Sequence, residues 1–105
     1  MALYAVCATD ARHAMRPCAL VQAVGLREAR AAGERLRASG RLGFLDAKAR
    51  LSARLASRRE AALWREALAQ PAAAPRAPND ASWGRRAERL EDALFQRLWR
   101  EGAGR

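Results

Sequence analysis

Apolar residues recur three or four positions apart in three stretches of the chain, which is the spacing of a helix that buries one side. The first stretch begins at Pro17, a favourable first residue for a helix, and ends at Ser39 and Gly40, a typical helix end. Its apolar stripe consists of Val21, Gly25, Ala29, Ala32 and Leu36. We therefore expect a helix here, with a narrow stripe of small residues that a neighbouring element can approach closely.

The second stretch, residues 45–69, predicts the longest helix, with an apolar side and an arginine side. The apolar side is formed by Phe44, Ala47, Leu51, Leu55, Ala62 and Ala69. The opposite side is formed by Arg50, Arg54, Arg58 and Arg65. A spacing of four would keep the first three arginines on adjacent helical turns, with Trp64 beside them.

The third stretch, residues 81–105, is the most amphipathic, and it follows a segment at residues 70–80 that is rich in proline and alanine. This segment predicts an extended linker. The apolar line of the helix that follows consists of Trp83, Ala87, Leu90, Leu94 and Leu98, flanked by Phe95 and Trp99. We expect this helix to pack either on the core of the chain or in the groove of a partner.

The N-terminal run ALYAVCA is too short for periodicity to assign. Tyr4 and Val6 suit a buried strand and the alanines suit a helix, but no alternating pattern downstream indicates a strand partner. We therefore expect an all-α fold, a small three- or four-helix bundle. Its predicted parts are a helical core at residues 1–69, the linker at 70–80 and the C-terminal helix at 81–105.

The charge of the chain is strongly positive, with 20 basic and 11 acidic residues and a net charge of +9 over 105 residues. Only Lys48 is a lysine, and arginine binds phosphate and carboxylate in a two-pronged geometry that lysine lacks. The codon bias of a GC-rich genome explains the choice of arginine equally well, but it does not explain the sign of the charge. The spread of the excess along the chain suits a folded domain that meets a polyanion or an acidic protein.

These observations predict a non-enzymatic accessory subunit that binds nucleic acid, RNA or DNA, within a larger nucleoprotein complex. Its contacts would be to the phosphate backbone and only weakly sequence-specific. The candidate contact residues are Arg50, Arg54, Arg58, Arg65 and Trp64, joined by Arg35, Arg37 and Arg41 if the first two helices pair antiparallel. Trp64 would stack on an exposed base or lie on a sugar.

A second interpretation is a protein–protein adaptor or assembly chaperone of a phage or secretion machine. The positive charge would then meet an acidic partner, and the C-terminal helix would be the docking element. Its candidate partner-binding residues are Trp83, Leu90, Leu94, Phe95, Leu98 and Trp99. The small core also allows a homo-oligomer, and the sequence does not decide between these partners.

Catalytic and metal chemistry is poorly represented in the chain. Cys7, His13 and Cys18 are close in sequence, but their spacing matches no zinc pattern and a fourth ligand is missing. A catalytic triad would have to use His13, the only histidine. The sequence contains no glycine-rich phosphate-binding loop. No run is long enough to span a membrane. We therefore expect no catalytic residue, no metal, no cofactor, no membrane partner and a reducing, cytoplasmic setting.

Overall fold

The computed structural model describes residues 1–69 and 83–103, and it shows an α+β fold. The elements are β1 (Ala2–Thr9), β2 (Met15–Ala23), α1 (Leu26–Ala38), β3 (Leu51–Leu55), α2 (Arg58–Leu68) and α3 (Trp83–Ala103). The strands form an antiparallel sheet in the order β2–β1–β3. The prediction of an all-α bundle is therefore wrong.

The N-terminal run forms the central strand rather than a helix. In β1, Tyr4 pairs with Val21 on one side and with Leu55 on the other, so its backbone has strand partners that the sequence did not reveal. Residues 4–8 are all buried. A strand that is covered on both faces has no solvent-exposed side, so its sequence is a continuous apolar run without alternating polar residues.

The helix predicted from Pro17 begins later, because residues 15–23 form β2. Pro17 lies in this edge strand, where a residue without an amide proton is tolerated. The pairing with β1 shifts register between Val6 and Cys7, and Cys18 falls between the residues that are paired. The predicted end of the helix is confirmed: Ser39 caps α1, and Gly40 has a φ of 85°.

The small residues of α1 let the helix lie very close to the sheet. Ala29 and Gly33 are its buried residues, and α1 packs across all three strands. A Cβ atom added to Gly33 would be 2.6 Å from a methyl group of Val6. The expected close approach occurs, but the predicted stripe is only partly right: Val21 lies in β2, Gly25 precedes α1, and Gly33 makes the contact.

Substitution Gly33→Ala is expected to destabilise the fold by about 1–2 kcal/mol, although alanine is the better helix former. The reason is that Val6 is fully buried and β-branched, so it has little room to move away. Chemical denaturation would measure the change. The matched control is Ala31→Val on the exposed side of α1, for which we expect a change within about 0.5 kcal/mol. A Gly33→Ala protein as stable as the wild type would contradict the close approach.

The long helix predicted over residues 45–69 is wrong in its first half. Residues before Leu51 form a loop, β3 follows, and only the second half, α2, is helical. Ser57 and Glu60 mark the start of α2 with a capping box, in which each side chain accepts a hydrogen bond from the other residue's amide. This sequence pattern, Ser-x-x-Glu, was the signal that a helix begins after Ser57.

The C-terminal helix is confirmed as α3, which packs along β2 and against α2. Leu94, Phe95 and Leu98 are buried in the main core together with residues of β1 and β2. Arginines from three other parts of the chain hold this helix: Arg16 of β2, Arg41 of the loop after α1, and Arg59 of α2. The linker predicted at residues 70–80 lies outside the described residues.

Candidate nucleic-acid interface

The arginines predicted to form a row on one helix lie in a loop, a strand and a helix. Arg50 precedes β3, Arg54 lies within it, and Arg58 and Arg65 are in α2. The prediction of a single helical row is therefore wrong. Arg58 and Arg65 are nevertheless seven residues apart, so they share the exposed side of α2 about 10 Å apart along its axis.

Arg54 is committed to an internal ion pair. Its two terminal nitrogens donate to the two carboxylate oxygens of Glu60 at 2.7 and 2.8 Å. Burial acts to raise the pKa of Glu60, but hydrogen bonds from Arg54 and from the Ser57 amide hold the pKa below its ordinary value of 4.5. The same hydrogen bonds with Glu60 raise the pKa of Arg54. Arg54 therefore positions the first turn of α2 against β3.

The arginines expected to extend the patch are mostly occupied as well. Arg37 pairs with Glu34 at 2.9 Å and also donates to the carbonyl of Ala49. Arg41 pairs with Asp92 of α3 at 2.8 Å. Of the three, only Arg35 is exposed without an ion pair to any described residue. The expected antiparallel pairing of two arginine-bearing helices does not occur, because α1 lies on the sheet.

Trp64 is partly buried and packs against the main core. It therefore contributes apolar area to the fold and offers little free surface for stacking on a base. A tryptophan beside exposed arginines in the sequence suggested a stacking platform, but its position on α2 turns its ring toward the core. Among the predicted contact residues, this leaves Arg35, Arg50, Arg58 and Arg65 exposed and without an ion pair within residues 1–69 and 83–103.

The residues predicted to bind a protein partner are largely used within the chain. Leu94, Phe95 and Leu98 are buried, and Leu90 and Trp99 are partly buried. The Trp99 ring lies under the guanidinium of Arg16 at 4.0 Å and near the ring of Phe44 at 5.9 Å. Trp83 begins α3, and its side chain lies outside the described part of the chain. Three of the six candidates are thus unavailable to a partner while α3 is packed.

An open cleft of about 780 Å³ lies between the β1–β2 turn, the junction of β3 with α2, and the C-terminal part of α3; we call it the hairpin cleft. Its basic residues are Arg12, Arg16, Arg54 and Arg59. Its acidic residues are Asp10, Glu60 and Glu101. Its apolar residues include Met15, Pro17, Leu63 and Leu98. No pattern in the sequence indicates Arg12, Arg16 or Arg59, because only the tertiary fold brings them together.

The turn at the edge of the hairpin cleft is built around Asp10. Its carboxylate accepts hydrogen bonds from the amides of Arg12 and Ala14, and the Nε of Arg16 lies 3.1 Å from it. The pKa of Asp10 lies below its usual value, mainly because its carboxylate accepts a hydrogen bond from the amide of Ala14. Arg12 is exposed at this turn and makes no ion pair with a described residue. The sequence feature that indicates this turn is the polar segment TDARH, which lies between two apolar runs.

The two cysteines and the histidine do not form a metal site. Cys7 and Cys18 are buried free thiols, and His13 lies in the exposed turn. Burial raises the pKa of Cys7, and it raises that of Cys18 to about 12, so neither thiol is activated as a nucleophile or ligand. In the described part of the chain there is no group of three or more metal-ligating side chains.

Comparisons of the chain with models of known protein families, with curated proteins and with solved structures give no match. No helix within the described ranges is long and apolar enough to cross a membrane.

Proposed function

We propose that the protein is a non-enzymatic accessory subunit that binds RNA or DNA through the phosphate backbone, within a larger nucleoprotein complex. The observation that carries the proposal is that its arginines fall into two groups. One group is held in internal ion pairs. The other is exposed and makes no ion pair with a described residue; its members are Arg12, Arg27, Arg30, Arg35, Arg50, Arg58, Arg65 and Arg100.

The internal pairs account for most of the described carboxylates. The paired acidic residues are Asp10, Glu34, Glu60, Glu91, Asp92 and Glu101. Each such pair largely cancels its own charge, so in the described part of the chain the uncompensated positive charge lies mainly on the exposed, unpaired basic side chains. A surface of this kind attracts a polyanion, and arginine forks suit its phosphates.

Three of these exposed arginines are held on two rigid parts of the fold. Arg58 and Arg65 share one side of α2. Arg50 is fixed beside the end of β1, because its amide donates to the Thr9 hydroxyl and its carbonyl accepts from the Thr9 amide. Side chains held on a helix and at the end of a β-strand can contact separate phosphates of one nucleic-acid strand without a large loss of conformational entropy.

Weak sequence specificity is part of the proposal. Bases are usually read by bidentate hydrogen bonds from arginine, asparagine or glutamine to their edges. Within the described ranges, the amide side chains are Gln22 of β2 and Gln96 of α3, and neither is on α2. The exposed arginines are therefore suited to phosphate contacts. A cytoplasmic setting completes the proposal and agrees with two free cysteines.

Fluorescence anisotropy with a labelled 20-nucleotide RNA, measured over a series of salt concentrations, would test the proposal. We expect the logarithm of the affinity to fall linearly with the logarithm of the salt concentration. The double substitution Arg58→Gln and Arg65→Gln should reduce that slope by about 0.7 for each lost phosphate contact on a single strand. The control is Ala62→Gln, which adds the same side chain between them and removes no charge.

Two outcomes would reject this function. One is the absence of binding to both RNA and DNA at low salt. The other is binding whose affinity does not depend on salt. Equal effects of the double substitution and of Ala62→Gln would assign the observed binding to a surface other than α2.

A further inference from the structure

We infer that the hairpin cleft holds an unpaired nucleotide of the bound strand, so that the protein prefers single-stranded to double-stranded nucleic acid. This inference rests on the proposed function and adds the form of the ligand. The cleft has a volume of about 780 Å³, within the range of about 300–1,000 Å³ in which small organic ligands are bound. A concave site of this size admits a splayed-out nucleotide, whereas the bases of a duplex remain stacked inside it.

The guanidinium groups in the hairpin cleft retain donors for a phosphate. Arg54 is held by Glu60 and Arg59 by Glu101, yet their side chains remain 48% and 55% exposed. Arg54 donates to Glu60 and also to the carbonyl of Leu55, and a guanidinium has five N–H donors, so part of its donor capacity remains free. Arg12 has no ion pair among residues 1–69 and 83–103 and supplies the uncompensated charge. Because Glu60 and Glu101 fix Arg54 and Arg59 in advance, little side-chain entropy remains to be lost on binding.

The hairpin cleft also has an apolar part that the fold leaves open. Met15 is 47% exposed, and Leu63 is only partly buried. A thioether and a leucine side chain offer a surface on which a base can lie, and an arginine plane can stack on its other side. Phosphate donors and an apolar surface within one concavity match a nucleotide better than they match inorganic phosphate or an acidic peptide.

The substitution that isolates the cleft is Arg12→Ala, and its matched control is Arg27→Ala. Both arginines are exposed and make no ion pair with a described residue. Arg12 lies in the turn that joins Thr9 to Met15, whereas Arg27 follows the opposite end of the sheet, where Ala2 pairs with Ala23. The two ends are separated by about 25 Å, the length of β1. The variants therefore remove the same charge at different places.

Anisotropy titrations of all proteins with a labelled 15-nucleotide oligothymidylate and with a 15-base-pair duplex, at one salt concentration, test the inference. We expect the wild type to bind the single strand at least about tenfold more tightly than the duplex. Arg12→Ala should weaken single-strand binding about tenfold, and Arg27→Ala should weaken it less. Met15→Ala should weaken it about threefold while leaving its salt dependence unchanged, because no charge is lost. Thermal unfolding should be unaltered in all three, since the substituted residues are exposed.

The alternatives have distinct results. Equal affinity for single strand and duplex, together with equal effects of Arg12→Ala and Arg27→Ala, would reject the cleft inference while the proposed function stands. Competition by inorganic phosphate as effective as that by thymidine monophosphate would also reject it, since the base would then contribute nothing. Failure of both nucleic acids to bind at low salt would reject the proposed function and the cleft inference together.

Discussion

Phe95→Ala is expected to lower the free energy of unfolding by about 3–5 kcal/mol, a large fraction of the stability of a domain of this size. Phe95 has no exposed surface and heads the large side chains that are fully buried. Its ring also lies 5.8 Å from the guanidinium of Arg41, which pairs with Asp92 on the same helix. Removing the ring would leave a cavity between α3 and the sheet.

Urea denaturation followed by circular dichroism would measure this loss, with Gln96→Ala as the control. Gln96 is the next residue of α3 and is exposed, so its substitution should change stability by no more than about 0.5 kcal/mol. If Phe95→Ala were as stable as the control, α3 would not be packed on the sheet in solution. Its apolar side would then be free to dock on a partner protein.

The main error of the sequence-based prediction has a geometric cause. Residues four apart lie on the same side of a helix, but they also lie on the same side of a strand, whose period is two. Leu51 and Leu55 fit both patterns, as do Arg50 and Arg54. In β3 the residues between them complete a strand alternation of Leu51, Ala53 and Leu55 with Ser52 and Arg54. A short stretch of this kind can be assigned only once its partner strand is known.

The end of α1 and the whole of α3 could be predicted because their signals are local. Gly40 takes a left-handed conformation that few other residues adopt readily, and α3 repeats its apolar spacing over about four turns. The sheet could not be predicted, because β1 is stabilised by residues that are distant in the chain. Tyr4 pairs with Leu55, for example, and neither residue's neighbours indicate this pairing.

The sequence predicts that a candidate interface would be rich in arginine, but it does not predict which arginines are exposed and unpaired. The expectation of an anionic partner follows from the charge of +9 and stays a prediction whatever the fold is. Which arginines remain free depends on ion pairs across the fold, such as Arg41 with Asp92 and Arg59 with Glu101. Local spacing does not decide which pair forms: Glu101 pairs with Arg97, four residues before it, whereas Glu34 pairs with Arg37, three residues after it, and not with Arg30, four residues before it. Arg12 therefore emerged as a candidate only from the structure.

Glu60→Gln is expected to destabilise the protein by about 2–3 kcal/mol at neutral pH. The Glu60 side chain is only 8% exposed, and its two oxygens accept from Arg54 and from the amide of Ser57. Glutamine keeps the size of the side chain but replaces one acceptor with a donor that faces other donors. The cost falls short of the 3–5 kcal/mol typical of a fully buried pair, because Arg54 is about half exposed and water can solvate it.

The loss should depend on pH in a defined direction. The pKa of Glu60 lies below its ordinary value of 4.5 in the folded protein, so folding favours the carboxylate. Its contribution to stability is therefore complete above about pH 4.5 and disappears as the pH falls through the lower, folded-state pKa. Glutamine does not titrate. The difference in stability between wild type and Glu60→Gln should accordingly be largest near pH 7 and shrink below about pH 4.

Urea denaturation at pH 7, 5, 4 and 3 would measure this difference, with Glu66→Gln as the control. Glu66 is exposed on the same helix and makes no ion pair with a described residue, so its substitution should have little effect at any of these values. A gap between wild type and Glu60→Gln that stays constant down to pH 3 would show that the loss comes from packing rather than from the carboxylate. A difference that disappears in acid would establish that the Glu60 carboxylate, through Arg54 and the Ser57 amide, joins β3 to α2 beside the hairpin cleft.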